Sequence, residues 1–74
     1  MIHELELVAL VQDQPEFHLE AGDVGTVVMV HQNGRGYEVE FATFTGETIA
    51  VVTLASDSVR PLRQRELAHA REVA

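Results

Sequence analysis

Hydrophobic and polar residues alternate along much of the chain with the period of two that is typical of β-strands. The pattern begins in the segment ELELVALV, where Leu5, Leu7, Ala9 and Val11 share one face. Three further segments are rich in β-branched and aromatic residues, and a last one is short and contains Pro61, which suits only a strand end or an edge. We therefore predict five strands, over residues 4–11, 24–31, 37–41, 48–54 and 59–62.

The best-defined part of the pattern is a hairpin between the second and third strands. Asn33 and Gly34 separate these strands, and this pair tolerates the positive φ angles of a tight hairpin turn. In the third strand, YEVEF, the alternation predicts that Val39 and Phe41 point inward and that the two glutamates point outward. Gly25, early in the second strand, predicts a bend or a close approach of two backbones.

The connections between these strands define the expected fold. They are one long loop over residues 12–23, two hairpins and a tight turn. A chain of 74 residues has room for one small core. We predict a mainly β protein, a small five-stranded SH3-like barrel over residues 1–62. The tail over residues 63–74 contains good helix formers but only a narrow apolar stripe, so we expect a short C-terminal helix or a frayed tail.

The composition limits the possible environments of the protein. Twelve acidic residues stand against five arginines and no lysine, which gives a formal charge of −7. The absence of cysteine excludes disulfides and zinc ligation by thiolates. No apolar run approaches the roughly 18 residues that span a bilayer, and the N-terminal segment has acids where a signal peptide has basic residues. We expect a cytoplasmic protein that does not bind membranes.

The entry to the second strand, GDVG, resembles the KOW motif of ribosomal and transcription-factor barrels. The loops of those proteins contact phosphates through Lys and Arg, whereas the equivalent loops here are mostly acidic and repel them. Few aromatic residues are available for stacking on bases or for a proline-rich peptide. We expect no binding to nucleic acid, and a KOW-like nucleic-acid-binding barrel remains the alternative.

Four segments carry a resemblance to a known family: LVALVQDQPE, GDVGTVVMV, YEVEF and TIAVVTL. Over about residues 4–62 the chain resembles a bacterial family of short proteins known as domain of unknown function 4926. The shared residues are glycines suited to turns and valines suited to a core. The resemblance implies a small SH3-like barrel without an assigned activity and without catalytic residues.

The residues that could carry chemistry do not form a recognisable catalytic or metal-binding pattern. The histidines, which lie in separate predicted elements, are His3, His18, His31 and His69. Ser56 and Ser58 flank Asp57 in a predicted turn, where these residue types are favoured by hydrogen bonds to the backbone. We expect Glu38 and Glu40 to project from one strand into solvent rather than into a cleft of the kind that acid–base catalysis requires. We predict no enzyme activity, no metal and no cofactor.

The strands contain more apolar positions than a small core requires. Three strands are apolar on both faces, although the outer face of a sheet is usually polar. Exposed apolar patches often mark interfaces, so we expect a protein-binding or self-association surface on one of the two faces. Alternation alone does not decide which face is the outer one. The candidate residues are Val8, Leu10, Val27, Met29, Val52 and Leu54.

The acidic charge indicates the kind of partner. The long loop concentrates acids at Asp13, Glu16, Glu20 and Asp23, and we refer to these four residues as the acidic loop. Antitoxins, immunity proteins and small accessory subunits use complementary charge against basic proteins. We therefore expect a non-enzymatic, acidic interaction module that binds a basic protein, that self-associates through an apolar strand face, or both.

Overall fold

A five-stranded antiparallel sheet forms the centre of the computed structural model, which describes residues 2–73. The strands are β1 (Leu7–Leu10), β2 (Val24–His31), β3 (Gly36–Ala42), β4 (Thr48–Ala55) and β5 (Val59–Pro61). Their order across the sheet is β4-β3-β2-β1-β5. Two 3-10 turns lie in the connections between strands, Pro15–Phe17 between β1 and β2 and Ser56–Ser58 between β4 and β5. The prediction of a mainly β protein with five strands is confirmed.

The first strand is shorter than the alternation predicts. Leu5 has a positive φ of 68°, and the Glu6 N–H donates to the His3 carbonyl oxygen at 3.2 Å, so residues 3–6 form a turn. The Leu5 N–H nevertheless donates to the Val27 carbonyl oxygen at 2.7 Å, which ties this turn to β2. The apolar alternation therefore continues beyond the regular strand and overestimates its length.

The predicted hairpin between β2 and β3 is confirmed. Three consecutive residues have positive φ angles, 48° at Gln32, 58° at Asn33 and 95° at Gly34. The N–H groups of Gly34 and Arg35 both donate to the His31 carbonyl oxygen, at 3.0 and 3.2 Å. Asparagine and glycine tolerate the left-handed conformation, so the local sequence determines where the chain reverses.

An irregularity in β2 changes which residues face the core. Val27 pairs with Val39 and Met29 pairs with Glu38, which leaves Val28 as an extra residue in β2. Such a β-bulge places two residues of one strand opposite one residue of its partner. Val27 is fully buried, whereas Val28 and Met29 are both exposed, at 41% and 45%. Beyond this point the alternation continues in the opposite phase, with Met29 exposed and Val30 packed against the core.

The core lies on one face of the sheet and under the long loop. Its members are Ile2, Val8, Leu10, Leu19, Val27, Tyr37, Val39, Phe41, Val52, Leu54 and Val59. The inward orientation predicted for Val39 and Phe41 is confirmed. Gly25 is where two strands approach closely, because a Cβ atom there would lie only 2.9 Å from the Glu40 carbonyl oxygen. Leu19 lies in the long loop, where it forms a β-bridge with Gln14, and its side chain is buried in the core.

The predicted C-terminal helix is absent, since residues 63–73 contain neither helix nor strand. Leu67, the largest residue of the expected apolar stripe, is 94% exposed and contributes nothing to the core. A helix of about 12 residues is marginal in water without tertiary packing. The tail is instead attached by side-chain contacts, from Glu66 to Arg60 of β5 and from Arg71 to Asp23 of the long loop. Met1 and Ala74, the ends of the two predicted segments, lie outside the described residues.

Candidate interaction face

The strand register defines a solvent-facing surface on the side of the sheet opposite the core. Directly opposed residues in an antiparallel sheet project to the same side. The register aligns two rows of side chains across β2, β3 and β4: Thr26, Glu40 and Val51, and Met29, Glu38 and Thr53. Leu7 extends the first row onto β1, and the bulged Val28 is exposed beside Met29. We call these eight residues the outer face.

The interface residues predicted from sequence lie mostly on the wrong side of the sheet. Five of the six are in the core and are at most 5% exposed, namely Val8, Leu10, Val27, Val52 and Leu54. Met29 is the exception and is 45% exposed. The bulge explains the split, because it reverses the phase of β2 between Val27 and Met29. Apolar residues are exposed on one face of the sheet, as expected. Except for Met29, however, they are the alternating neighbours of the candidate residues rather than the candidates themselves.

The residues that are both apolar and exposed surround two carboxylates. Leu7, Val28, Met29 and Val51 are between 41% and 54% exposed on this side of the sheet. β3, which lies between β2 and β4, contributes the two glutamates of the outer face. The outer face therefore combines a negatively charged central strand with apolar side chains on both neighbouring strands.

The two central glutamates each have one neighbouring polar side chain. The Thr48 hydroxyl donates to Oε2 of Glu40 at 2.7 Å, and Nε2 of His31 lies 3.3 Å from Oε2 of Glu38. The side chain of Glu38 remains 33% exposed. Each carboxylate retains acceptor capacity for a further donor, because an ionised carboxylate has about four lone-pair positions.

The acidic loop is stabilised from within the chain. Asp13 Oδ1 accepts the Ala21 N–H at 2.9 Å, and Asp23 Oδ2 accepts the Glu20 N–H at 2.8 Å. These bonds are typical of aspartates that close turns. Two of the four acids predicted for partner binding therefore hold the conformation of the loop itself.

Arg71, from the tail, neutralises part of the acidic loop. Its Nε donates to Asp23 Oδ1 at 2.9 Å, and one of its terminal nitrogens lies 3.6 Å from Oε2 of Glu20. The hydrogen bond from Arg71 lowers the pKa of Asp23 below its ordinary value. This contact could not be predicted from sequence, since nothing in the local pattern distinguishes Arg71 from the other arginines. Glu16 is exposed in the first 3-10 turn.

The other residues considered for chemistry occupy structural positions. The predicted turn of Ser56, Asp57 and Ser58 is the second 3-10 turn, and the Ser58 hydroxyl accepts a hydrogen bond from Gln12 Nε2 at 3.3 Å. Among residues 2–73, no group of three His, Asp or Glu side chains could hold a metal ion. In the same residues, no helix is long and apolar enough to cross a membrane.

The fold and the outer face together define a small all-β domain built on one antiparallel sheet with a partly apolar, acidic surface. The sequence matches the Domain of unknown function DUF4926 over residues 4–61, and the chain belongs to this family, as the resemblance implied. No curated protein and no solved structure matches the chain.

Proposed function

We propose that this chain is a cytoplasmic, non-enzymatic interaction module whose outer face binds a basic protein partner. The observation that carries the proposal is the position of Glu38 and Glu40 in the middle of a sheet surface whose neighbouring strands expose apolar side chains. The formal charge of −7 extends the negative potential beyond these two residues and favours encounter with a basic partner.

The fold that we propose for this module is an SH3-like barrel. The strand order β4-β3-β2-β1-β5 supports it, as does the 3-10 turn that leads directly into β5. In such a barrel the central strand β2 bends, so that it pairs with β1 on one side and with β3 on the other. The bulge in β2 supports this arrangement, since bulges increase the local bend and twist of a strand.

The geometry of the outer face suits Arg or Lys side chains of a partner. Their ends would bind Glu38 and Glu40, while their aliphatic stems would pack on Met29 and Val51. Apolar contact supplies affinity at the centre of an interface, and complementary charge raises the rate of association and the specificity. A specific interface of ordinary size covers about 800 Å² on each partner. The outer face would form only its central part.

A pull-down from a native lysate tests the proposal with two charge-matched variants. The test variant is Glu38→Lys combined with Glu40→Lys. The control variant is Glu47→Lys combined with Glu72→Lys, which makes the same change in net charge at exposed residues outside the outer face. We expect basic proteins to bind the wild type and the control and to elute from both as the salt concentration rises. The test variant should not capture these proteins. Equal capture by both variants would contradict the proposal.

The alternative, a KOW-like nucleic-acid-binding barrel, makes the opposite prediction. Glu38 and Glu40 on the outer face repel phosphate groups, and phosphate contacts supply most of the non-specific affinity of nucleic-acid-binding proteins. We expect no gel shift with duplex DNA or single-stranded RNA at low-micromolar protein and physiological salt. A shift that weakens steeply with salt would favour the alternative over the protein-binding proposal.

A further inference from the structure

The strand β4 lies at one edge of the sheet, and among residues 2–73 it pairs only with β3. The Ser56 N–H donates to the Arg35 carbonyl oxygen at 3.1 Å, which fixes the phase of the hydrogen-bond ladder between the two strands. Because hydrogen-bonding positions alternate along an antiparallel pair, Leu54 and Val52 bond to β3. The residues between and beside them direct their backbone N–H and C=O groups away from β3. These residues are Val51, Thr53 and Ala55, and we call them the β4 edge.

The β4 edge is exposed and has no backbone partner within residues 2–73. All three of its residues are exposed, in contrast to the buried Val52 and Leu54 between them. No hydrogen bond from another part of the described chain reaches their backbone groups. An edge of this kind is a template for pairing with a further strand.

The sequence of β4 lacks the features that normally prevent such pairing. The strand reads TIAVVTLA, with no charge, no proline and no glycine, and its register with β3 is regular from Ala50 to Ala55. The opposite edge of the sheet differs in each respect. β5 has three residues, carries Arg60 and ends at Pro61. Short length, charge and proline are the usual means by which proteins protect an edge strand.

We propose that β4 pairs antiparallel with β4 of a second copy of this chain, which joins the two sheets across a two-fold axis. An antiparallel pair of identical strands is self-complementary, so the same three residues serve both copies. With the axis at Thr53, each Val51 would lie opposite the partner's Ala55, and the three pairs would exchange roughly six backbone hydrogen bonds. The two threonines would meet directly, which is a favourable cross-strand pair.

The distribution of charge also suits a second copy, despite the overall charge of −7. The strand itself is uncharged, and the nearest acidic row of the outer face is on β3. Across the proposed junction the two β3 strands would be three strand spacings apart, about 14 Å. This separation exceeds the Debye length of about 8 Å at physiological ionic strength. Repulsion between the copies is therefore weak at the junction, and raising the salt concentration should favour the dimer.

Two variants test the dimer against a matched control. Thr53→Pro removes an N–H that points away from β3, and proline is tolerated at such positions of edge strands. Val51→Lys places a charge on the β4 edge. The control is Val28→Lys, which makes the same substitution at a similarly exposed position of the outer face that is not on an edge. The measurement is sedimentation velocity from low to high micromolar protein, in low and high salt.

We expect the wild type and Val28→Lys to form a dimer at high micromolar concentration, more readily in high salt, while Thr53→Pro and Val51→Lys remain monomeric. One strand pair covers less than a standard interface, so the association should be weak. Amide hydrogen exchange gives the direct readout, since Val51, Thr53 and Ala55 should gain protection as protein concentration rises. A wild type that stays monomeric, or a dimer in which these three amides exchange freely, would overturn the proposal. Neither outcome bears on binding of a basic partner.

Discussion

The sheet and the C-terminal tail of this chain are held in place by different forces. The sheet buries a continuous set of apolar side chains, with Val8, Val27 and Val39 fully inaccessible to solvent. The tail over residues 63–73 has no regular structure and places Leu67 in solvent. Its main side-chain attachments are ion pairs, from Glu66 to Arg60 and from Arg71 to Asp23, and Arg71 also donates to the His18 carbonyl oxygen at 2.9 Å.

The free energy of unfolding therefore depends on the apolar core of the sheet, whereas the position of the tail depends on its charged contacts. Apolar burial contributes about 25 cal/mol per Å², depends little on salt and dominates the folding free energy of a small domain. Ion pairs at the surface contribute little to folding and weaken as salt screens them. We therefore expect core substitutions to unfold the whole domain. Substitutions in the tail should release only the tail and leave the sheet intact.

The largest effect is expected at Phe41. Its side chain is buried in the core, so Phe41→Ala should lower the free energy of unfolding by about 3–5 kcal/mol. The matched control is Phe44→Ala, because Phe44 is 85% exposed and its truncation should leave stability within about 0.5 kcal/mol of the wild type. Urea denaturation of both variants measures the difference. Similar midpoints for the two would mean that Phe41 does not form part of the core.

A smaller loss is expected at Gly25, where β2 and β3 come close. A Cβ atom there would lie 2.5 Å from Cγ1 of Val39, so Gly25→Ala forces the strands to shift and should cost about 1–3 kcal/mol. Gly36→Ala is the control, because its Cβ would meet no atom closer than 3.4 Å. Thermal unfolding of the two variants checks this ranking. An alanine at residue 25 as well tolerated as one at residue 36 would show that the approach is not tight.

The sheet could be predicted from sequence because its signals are local. Asn33 and Gly34 determine the hairpin, and the β-branched segments on either side have a period of two that marks their strands. The close approach of β2 and β3 could likewise be predicted from the glycine at residue 25. In each of these places the conformation depends on residues that are neighbours in the chain.

The composition of the exposed face could not be predicted, because it depends on long-range pairing. The bulge at Val28 arises only from the register between β2 and β3, and it moves Met29 to the side opposite Val27. The presence of apolar residues on both faces was visible in the sequence. The choice between the two faces required the positions of the other strands, since both sets alternate equally well.

The tail could not be predicted for a different reason. Its helix propensity is real but is worth little without a surface on which to pack. The contact between Arg71 and Asp23 joins residues 48 positions apart, and no spacing rule connects them. The acidic loop was identified from its composition, yet its partial neutralisation by the same chain was not.

The next prediction concerns Arg71 and isolates the attachment of the tail. Arg71→Ala should release the end of the tail from Asp23, while the unfolding midpoint of the sheet stays close to that of the wild type. Arg65→Ala is the control, because Arg65 is exposed in the same tail. NMR relaxation of the backbone amides of residues 69–73 measures the release. Unchanged mobility in Arg71→Ala would show that other contacts hold this segment.

The smallest effect is expected from acid, at the contact between Arg60 and Glu66. Hydrogen bonds from Arg60 and from the Arg63 N–H lower the pKa of Glu66 from its ordinary value of 4.5 to about 2. A carboxyl whose pKa is lower when the tail is attached favours attachment fully above pH 4.5, and this contribution is lost as the pH falls to about 2. An NMR titration of the Glu66 side chain should therefore give a low pKa in the wild type and a higher pKa in Arg60→Gln, where only the hydrogen bond from the Arg63 N–H remains. The chemical shifts of the tail amides should change over the same acidic range, while those of the sheet core should remain constant until the domain unfolds. An ordinary pKa for Glu66 in the wild type would mean that the tail is not held at Arg60, and the attachment would then depend on Arg71 alone.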